Sequence, residues 1–184
     1  NATSEWISSV TLGSNVNTSS GSGTTGYQDF TGITFSVTPG SSQKITLVPK
    51  FSSSTKQEYW CVWIDYNGDG DFSDSGEKVI SSWRGSTGTV SGTISIPSGL
   101  SLTTRMRVSM RRSSLPSVCA TFTYGEVEDY SLKIAAASSF FKSASIGPEV
   151  AVVPGMMKLF PNPAGQKLSI QLDETMAGAE LIIY

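Results

Sequence analysis

Tyr59-Trp60-Cys61-Val62-Trp63-Ile64 runs directly into Asp65-Tyr66-Asn67-Gly68-Asp69-Gly70-Asp71-Phe72-Ser73-Asp74-Ser75-Gly76-Glu77. The first segment is apolar on both faces of an extended chain and rich in aromatic and β-branched side chains, which fit a pleated surface. It predicts a central strand covered on both sides. Shorter alternating runs flank it. Glu5 to Leu12 is the first, and Ile33, Phe35 and Val37 share one face of the next. Lys44 to Val48 and Thr89 to Ile96 follow, the latter stopping at Pro97. Arg105 to Arg111 alternates with Met106, Val108 and Met110 on one face, and Tyr130 to Ile134 closes the series. Gly, Ser, Asn and Pro clusters, such as Asn17 to Gly26 and Pro39 to Ser42, punctuate these runs. Many short strands divided by turn residues predict an all-β fold: an antiparallel β-sandwich, jelly-roll-like, over residues 1–134. Trp60, Trp63 and Phe35 are expected in its core.

Composition narrows the function. With 13 basic and 15 acidic residues the net charge is −2 and the pI near 5.1, which argues against nucleic-acid binding, because that needs a concentrated positive field. The absence of histidine removes His-assisted nucleophiles and His-ligated zinc. No run approaches the ~20 apolar residues of a membrane-spanning helix, so no membrane-spanning segment is expected. The two cysteines, Cys61 and Cys119, are too far apart for a CxxC pair. A disulfide between them would restrict the unfolded chain by roughly 4–5 kcal/mol in the entropic account, and an oxidising compartment suits this polar, low-charge composition. Two buried free thiols are the alternative.

The segment from Asp65 to Glu77 has the oxygen spacing of a hard-cation loop. Asp65, Asn67 and Asp69 stand at positions 1, 3 and 5, and Gly70 at position 6 permits the sharp turn. Asp71 follows, and Asp74 or Glu77 would close the shell, since position 12 is Gly76 where an EF-hand has Glu. Strands rather than helices flank the loop. Ca²⁺ is the expected ion, against the plainer reading of a solvated Asn/Asp/Gly turn.

Three more acids stand in Tyr124-Gly125-Glu126-Val127-Glu128-Asp129-Tyr130. Arg105, Arg107 and Arg111 share one face of their strand, and Glu126 and Glu128 share a face if that segment is extended. A cross-strand ladder is expected, with Arg105 or Arg107 paired to Glu126 or Glu128. Two other readings stay open: Glu126 or Asp129 completing the calcium shell, and a paired-carboxylate glycosidase site.

After Ile134 the pattern breaks. Residues 135–157 carry no sustained period and read as a linker. From Lys158 a second pattern begins with Leu159-Phe160-Pro161-Asn162-Pro163-Ala164, then the strand-like runs Lys167 to Leu172 and Ala179 to Tyr184. Residues 158–184 are expected to form an incomplete small β-sandwich tail, too short to bury much core.

Gly125-Glu126-Val127-Glu128-Asp129-Tyr130 resembles the signature of the GEVED domain. The acidic segment from Trp63 to Glu77 and the arginine strand Thr104 to Val108 are similar to the corresponding parts of that family, over about residues 1–134. The resemblance implies a β-sandwich module of secreted, often multidomain bacterial surface proteins, adhesive or accessory in role and without a defined activity. The tail resembles the start of the C-terminal sorting domain of type IX secretion cargo in Bacteroidetes, on Leu159, Phe160, Pro161, Asn162 and Pro163. That resemblance implies export to the outer-membrane cell surface and recognition of 158–184 by an outer-membrane shuttle barrel or the translocon.

The expected function is therefore a non-enzymatic, calcium-stabilised surface module binding a glycan or a protein, with Trp83, Arg84, Tyr124 and the loop from Gly13 to Gly26 as candidate contacts. A carboxylate-dependent glycosidase or an accessory domain of an extracellular hydrolase is one alternative. A structural unit of a surface fibre or large adhesin is another.

Overall fold

The computed structural model describes residues 2–81, 87–119 and 121–135, and the backbone of strands at 158–160 and 169–171. Trp83, Arg84, nearly all of the expected linker and Pro161, Asn162 and Pro163 lie outside the described residues. The chain divides into two compact units, Asn1–Ser138 and Ser139–Tyr184.

Among the described residues every regular element of the first unit is a strand: β1 (Glu5–Leu12), β2 (Asn15–Thr18), β3 (Tyr27–Val37), β4 (Ser42–Phe51), β5 (Glu58–Ile64), β6 (Lys78–Ser81), β7 (Val90–Ser95), β8 (Leu102–Arg112) and β9 (Gly125–Ile134). They form a four-stranded sheet in the order β2-β1-β4-β7 and a five-stranded sheet in the order β3-β9-β8-β5-β6. The short strands β2 and β6 fall where the sequence offers only punctuation or a brief alternation. In the second unit, β10 (Lys158–Phe160) pairs antiparallel with β11 (Ser169–Gln171), Leu159 opposite Ile170.

The sandwich is antiparallel as expected except in one pair. β3 runs parallel to β9, so the five-stranded sheet is mixed. β3 can add there because β9 offers an open edge, and the chain reaches it by crossing over from β2 in the other sheet.

The sheets bury their facing sides in one cluster. Ile7, Val10, Leu12, Ile45, Leu47 and Ile94 come from one sheet, and Phe35, Trp60, Val62, Ile64, Met106, Val108, Met110, Tyr130 and Leu132 from the other. Each strand alternates inward and outward, as a pleat of period two requires. β1 changes phase midway: Glu5 and Ile7 are buried, then Val10 and Leu12. A register shift between Ile7 and Ser9 accounts for this, because one extra residue in a bulge flips every later side chain.

β5 is buried on both faces. Trp60, Val62 and Ile64 enter the central core. Cys61 and Trp63 face outward beneath Phe72 of the acidic loop, with Leu115 and Val118 of the β8–β9 connection packed against them. Two cations cap this outer cluster. Lys78 Nζ lies 5.8 Å from the Trp63 ring centroid, and the Arg107 guanidinium 5.3 Å from that of Phe72, an arrangement favourable to the rings' electron-rich faces.

Candidate functional site

The acidic loop leaves β5 at Asp65 and returns at Glu77, next to β6. Phe72, buried in the outer cluster, anchors its middle. The loop's ends are held by its two buried acids. Asp65 accepts hydrogen bonds from Gly68 N at 2.6 Å and Gly70 N at 3.1 Å. Glu77 accepts from Tyr66 N at 3.0 Å and Asp74 N at 3.3 Å. Gly70 has φ +94°, a left-handed conformation that a side chain would strain. Between these ends runs a staircase of turns in which each side chain accepts from the amide two residues on. Asn67 Oδ1 takes Asp69 N, Asp69 Oδ1 takes Asp71 N, and Asp71 Oδ1 takes Ser73 N. Such local bonds let Asn and Asp replace strand pairing in a turn. The Ser73 bonds hold the Asp71 carboxyl below its ordinary range.

The six expected ligands therefore divide. Asp69, Asp71 and Asp74 are exposed, and one carboxylate oxygen from each lies within 4.8 Å of the others. Asp65 and Glu77 are buried and fasten the loop. Asn67 turns its Nδ2 to Asp69 at 3.0 Å and Asp74 at 2.8 Å. Three converging carboxylates are hard donors of the kind Ca²⁺ takes, and an oxygen accepting one amide hydrogen keeps a lone pair. The donor set fits a calcium ion.

The second acidic cluster is built into β9, and its first residue is sterically fixed. Gly125 has φ +120°, and a Cβ there would stand 2.1 Å from Met110 O. Glu126 faces the sandwich interior, fully buried. Its carboxylate accepts from Ile7 N at 2.8 Å, Ser22 N at 2.6 Å and Gln28 Nε2 at 3.0 Å. One side chain thus ties β9 to the bulged part of β1 in the other sheet, to the β2–β3 connection and to β3. Glu128, also fully buried, accepts from the Tyr130 hydroxyl at 2.7 Å, which accepts in turn from Asn17 Nδ2 at 3.0 Å. Burial pushes the Glu128 carboxyl up to about 8, with the Glu126 charge adding to it against the Tyr130 hydrogen bond.

Asp129 faces the other way. Arg107 Nε and Nη2 grip its two oxygens at 2.7 Å each, Arg107 Nη1 donates to Val118 O, and the Tyr27 hydroxyl donates to Asp129 at 3.1 Å. The expected pairing of Arg105 or Arg107 with Glu126 or Glu128 is thereby corrected. Arg107 lies opposite Asp129, and Arg105 opposite Ser131, while Glu128 and Glu126 lie opposite Val108 and Met110 on the inner face. Parity separates the expected partners across the thickness of the sheet.

The cysteine expectation is corrected as well. Cys61 and Cys119 are free thiols, the first buried in the outer cluster and the second exposed. Burial raises the Cys61 thiol.

A third charged group is missing from the sequence reading. Glu5 of β1 and Glu58 of β5 are both fully buried, and Arg112 Nη2 donates to Glu5 Oε2 across the two sheets. The Tyr124 ring, an expected ligand contact, covers the Arg112 guanidinium with its centroid 4.2 Å away. Glu58 has no hydrogen-bond partner among the described residues. Burial first, then the Glu5 charge, pushes it up to about 8 against the pull of Arg112. The signal available in the sequence was parity: Glu5 shares a face with Ile7, and Glu58 with Trp60, Val62 and Ile64.

No curated protein matches the chain. Among solved structures, the ASH/PapD-like domain of human CEP192 (PapD-like domain 7) is similar at 12% identity and a TM-score of 0.27, over 71% of this chain and 88% of that one. Residues 59–133, from the two-faced strand β5 through the acidic loop and arginine strand to β9, match the GEVED domain family.

Proposed function

We propose that residues 1–134 form an extracellular cell-surface binding module, adhesive or accessory in role and without catalysis of its own, stabilised by calcium at the acidic loop. One observation carries this reading: every acid of the signature string is engaged in the scaffold. Glu126 holds two sheets together, Glu128 lies in the interior against Tyr130, and Asp129 grips Arg107. A glycosidase needs two carboxyl groups facing one sugar in an open cleft. Glu126 and Glu128, buried between the sheets, cannot reach a substrate, and Asp129 is sealed under Arg107 on the outer face, so the string serves as architecture that presents the outer face and loops.

At the loop, Asp69, Asp71 and Asp74 would hold the ion, with Asp65 and Glu77 fixing the loop ends and Asn67 bridging. Calcium would offset the mutual repulsion of the exposed carboxylates and bind the folded loop alone, raising stability by mass action. The gain is about 2.7 kcal/mol at a free concentration a hundredfold above Kd. We further propose that residues 158–184 act as a type IX sorting segment, supported by the resemblance on Leu159 to Pro163, and are read by an outer-membrane shuttle barrel or the translocon.

Two measurements test the reading. Melting curves in millimolar calcium and in chelator should differ by several degrees, and coincident curves would exclude the calcium role. Deleting 158–184 should leave the sandwich folded while surface display is lost. Undiminished display would exclude the sorting role.

A further inference from the structure

The outer face of the five-stranded sheet carries Arg105, Arg107 and Arg111 along β8, with Ser109 between the last two, and what faces each of them differs. Arg107 is engaged by Asp129 and the Val118 carbonyl. Arg111 lies 5.7 Å from the Phe122 ring centroid. Arg105 is exposed, and among the described residues its guanidinium makes no hydrogen bond or ion pair. Its backbone oxygen accepts from Asp65 N at 3.1 Å.

A second cation stands beside it. Lys133 is exposed on the same face, opposite Thr103, while Ser131 stands opposite Arg105. Lys133 is therefore the diagonal neighbour of Arg105, about 7–8 Å away along the pleat, and it too has no ion pair among the described residues. Two acids lie close. Asp29 is exposed and held low chiefly by hydrogen bonds from Thr31, with the Arg105 charge a smaller cause. Asp65 is buried and faces the amides of Gly68 and Gly70.

A cleft of about 440 Å³ opens at Arg105, lined also by Thr31, Thr103, Thr104 and Ser131 and, from the acidic loop, by Asp65, Gly68 and Gly70. Among the described residues no aromatic ring lines it, so they offer no platform for stacking a neutral sugar. β8 and β9 are paired on both sides, so the cleft floor offers no free backbone edge to an added peptide strand. What it offers is a guanidinium fork and hydroxyls, with the Lys133 ammonium on the neighbouring strand opposite Thr103. A fork of N–H donors matches a planar or tetrahedral anion, and the hydroxyls match a ligand that itself carries many.

We infer that this cleft binds an acidic saccharide, with its carboxylate or sulfate group seated on Arg105, Lys133 as the second cation, and sugar hydroxyls against Thr103. The inference names the ligand class of the proposed binding module and rests on that reading.

The test is calorimetric titration of the full chain in calcium buffer with oligogalacturonate, a heparin fragment, neutral dextran and poly-glutamate. The first two separate a carboxylate source from a sulfate source. Binding of at least one of them, weakened by added salt, with dextran inert, is the expected result. Arg105→Gln should weaken it tenfold or more and Lys133→Gln by less. Lys50→Gln, on the other sheet, should leave it unchanged. Failure of both acidic saccharides to bind, equal binding by Arg105→Gln, or tighter binding of poly-glutamate would overturn the inference. A chain that adheres to cells equally well with Arg105→Gln retains the module reading and loses this site.

Discussion

Two regions hold most of this chain's local concentration of acid, and they use it in opposite ways. In β9 the carboxylates are buried and each faces named donors: three for Glu126, one for Glu128, a guanidinium and a hydroxyl for Asp129. In the acidic loop Asp69, Asp71 and Asp74 are exposed and face one another. The difference shows that burial and partner, not residue type, decide what a carboxylate does. A buried acid held by named donors is a structural joint. Exposed acids that face one another remain in contact with solvent and its ions.

The sharpest way to break this comparison is to remove a partner in the buried region. Arg107→Ala leaves Asp129, 1% exposed, as an uncompensated buried charge. The expected loss is about 3–5 kcal/mol in urea unfolding, because stranding one member of a buried pair costs far more than removing an exposed one. A loss below about 1 kcal/mol would place the pair with ordinary surface bridges.

The next effect is pH dependence. Glu128 and Glu58 both rise from an ordinary value near 4.5 to about 8 in the fold. An acid raised in the folded state binds its proton there after the unfolded chain has released it. Its contribution is fully present below about pH 4.5 and is lost as pH climbs to about 8. Stability should therefore slope downward across that window, and Glu128→Gln, which keeps an acceptor for the Tyr130 hydroxyl, should flatten the slope. An unchanged slope in that variant would show that Glu128 ionises normally.

The smallest effect belongs to the exposed region. Asp71→Asn keeps an acceptor for Ser73 and removes only charge. In chelator its stability should stay within about 0.5 kcal/mol of the parent. In calcium it should lose most of the thermal shift that the parent gains. A variant equally responsive to calcium would remove Asp71 from the ligand set.

Much of the fold was legible because strands announce themselves by period. Glu5 to Leu12 coincides with β1, and the apolar run from Tyr59 to Ile64 is buried on both faces as its composition requires. The acidic loop was legible as a loop because Asn, Asp and Gly at those spacings bond their own backbone. The direction of Glu126 and Glu128 was recoverable in part: they share parity with Tyr130, Leu132 and Ile134, whose apolar character marks the inner face. Val127, apolar on the opposite parity, obscured it.

By itself the sequence determined that the chain is a strand-rich protein with one loop of converging oxygens, since local bonding and alternation act over a few residues. The tertiary structure alone decided which strands meet and in what register. That choice set Arg107 against Asp129 and Arg105 against Ser131, brought Glu5 and Glu58 together from different sheets, and turned β3 parallel to β9. Cross-strand partners lie far apart in the chain, 22 positions for Arg107 and Asp129 and 107 for Arg112 and Glu5. Shifting the register by one residue exchanges the faces of every side chain, and no local pattern records that choice.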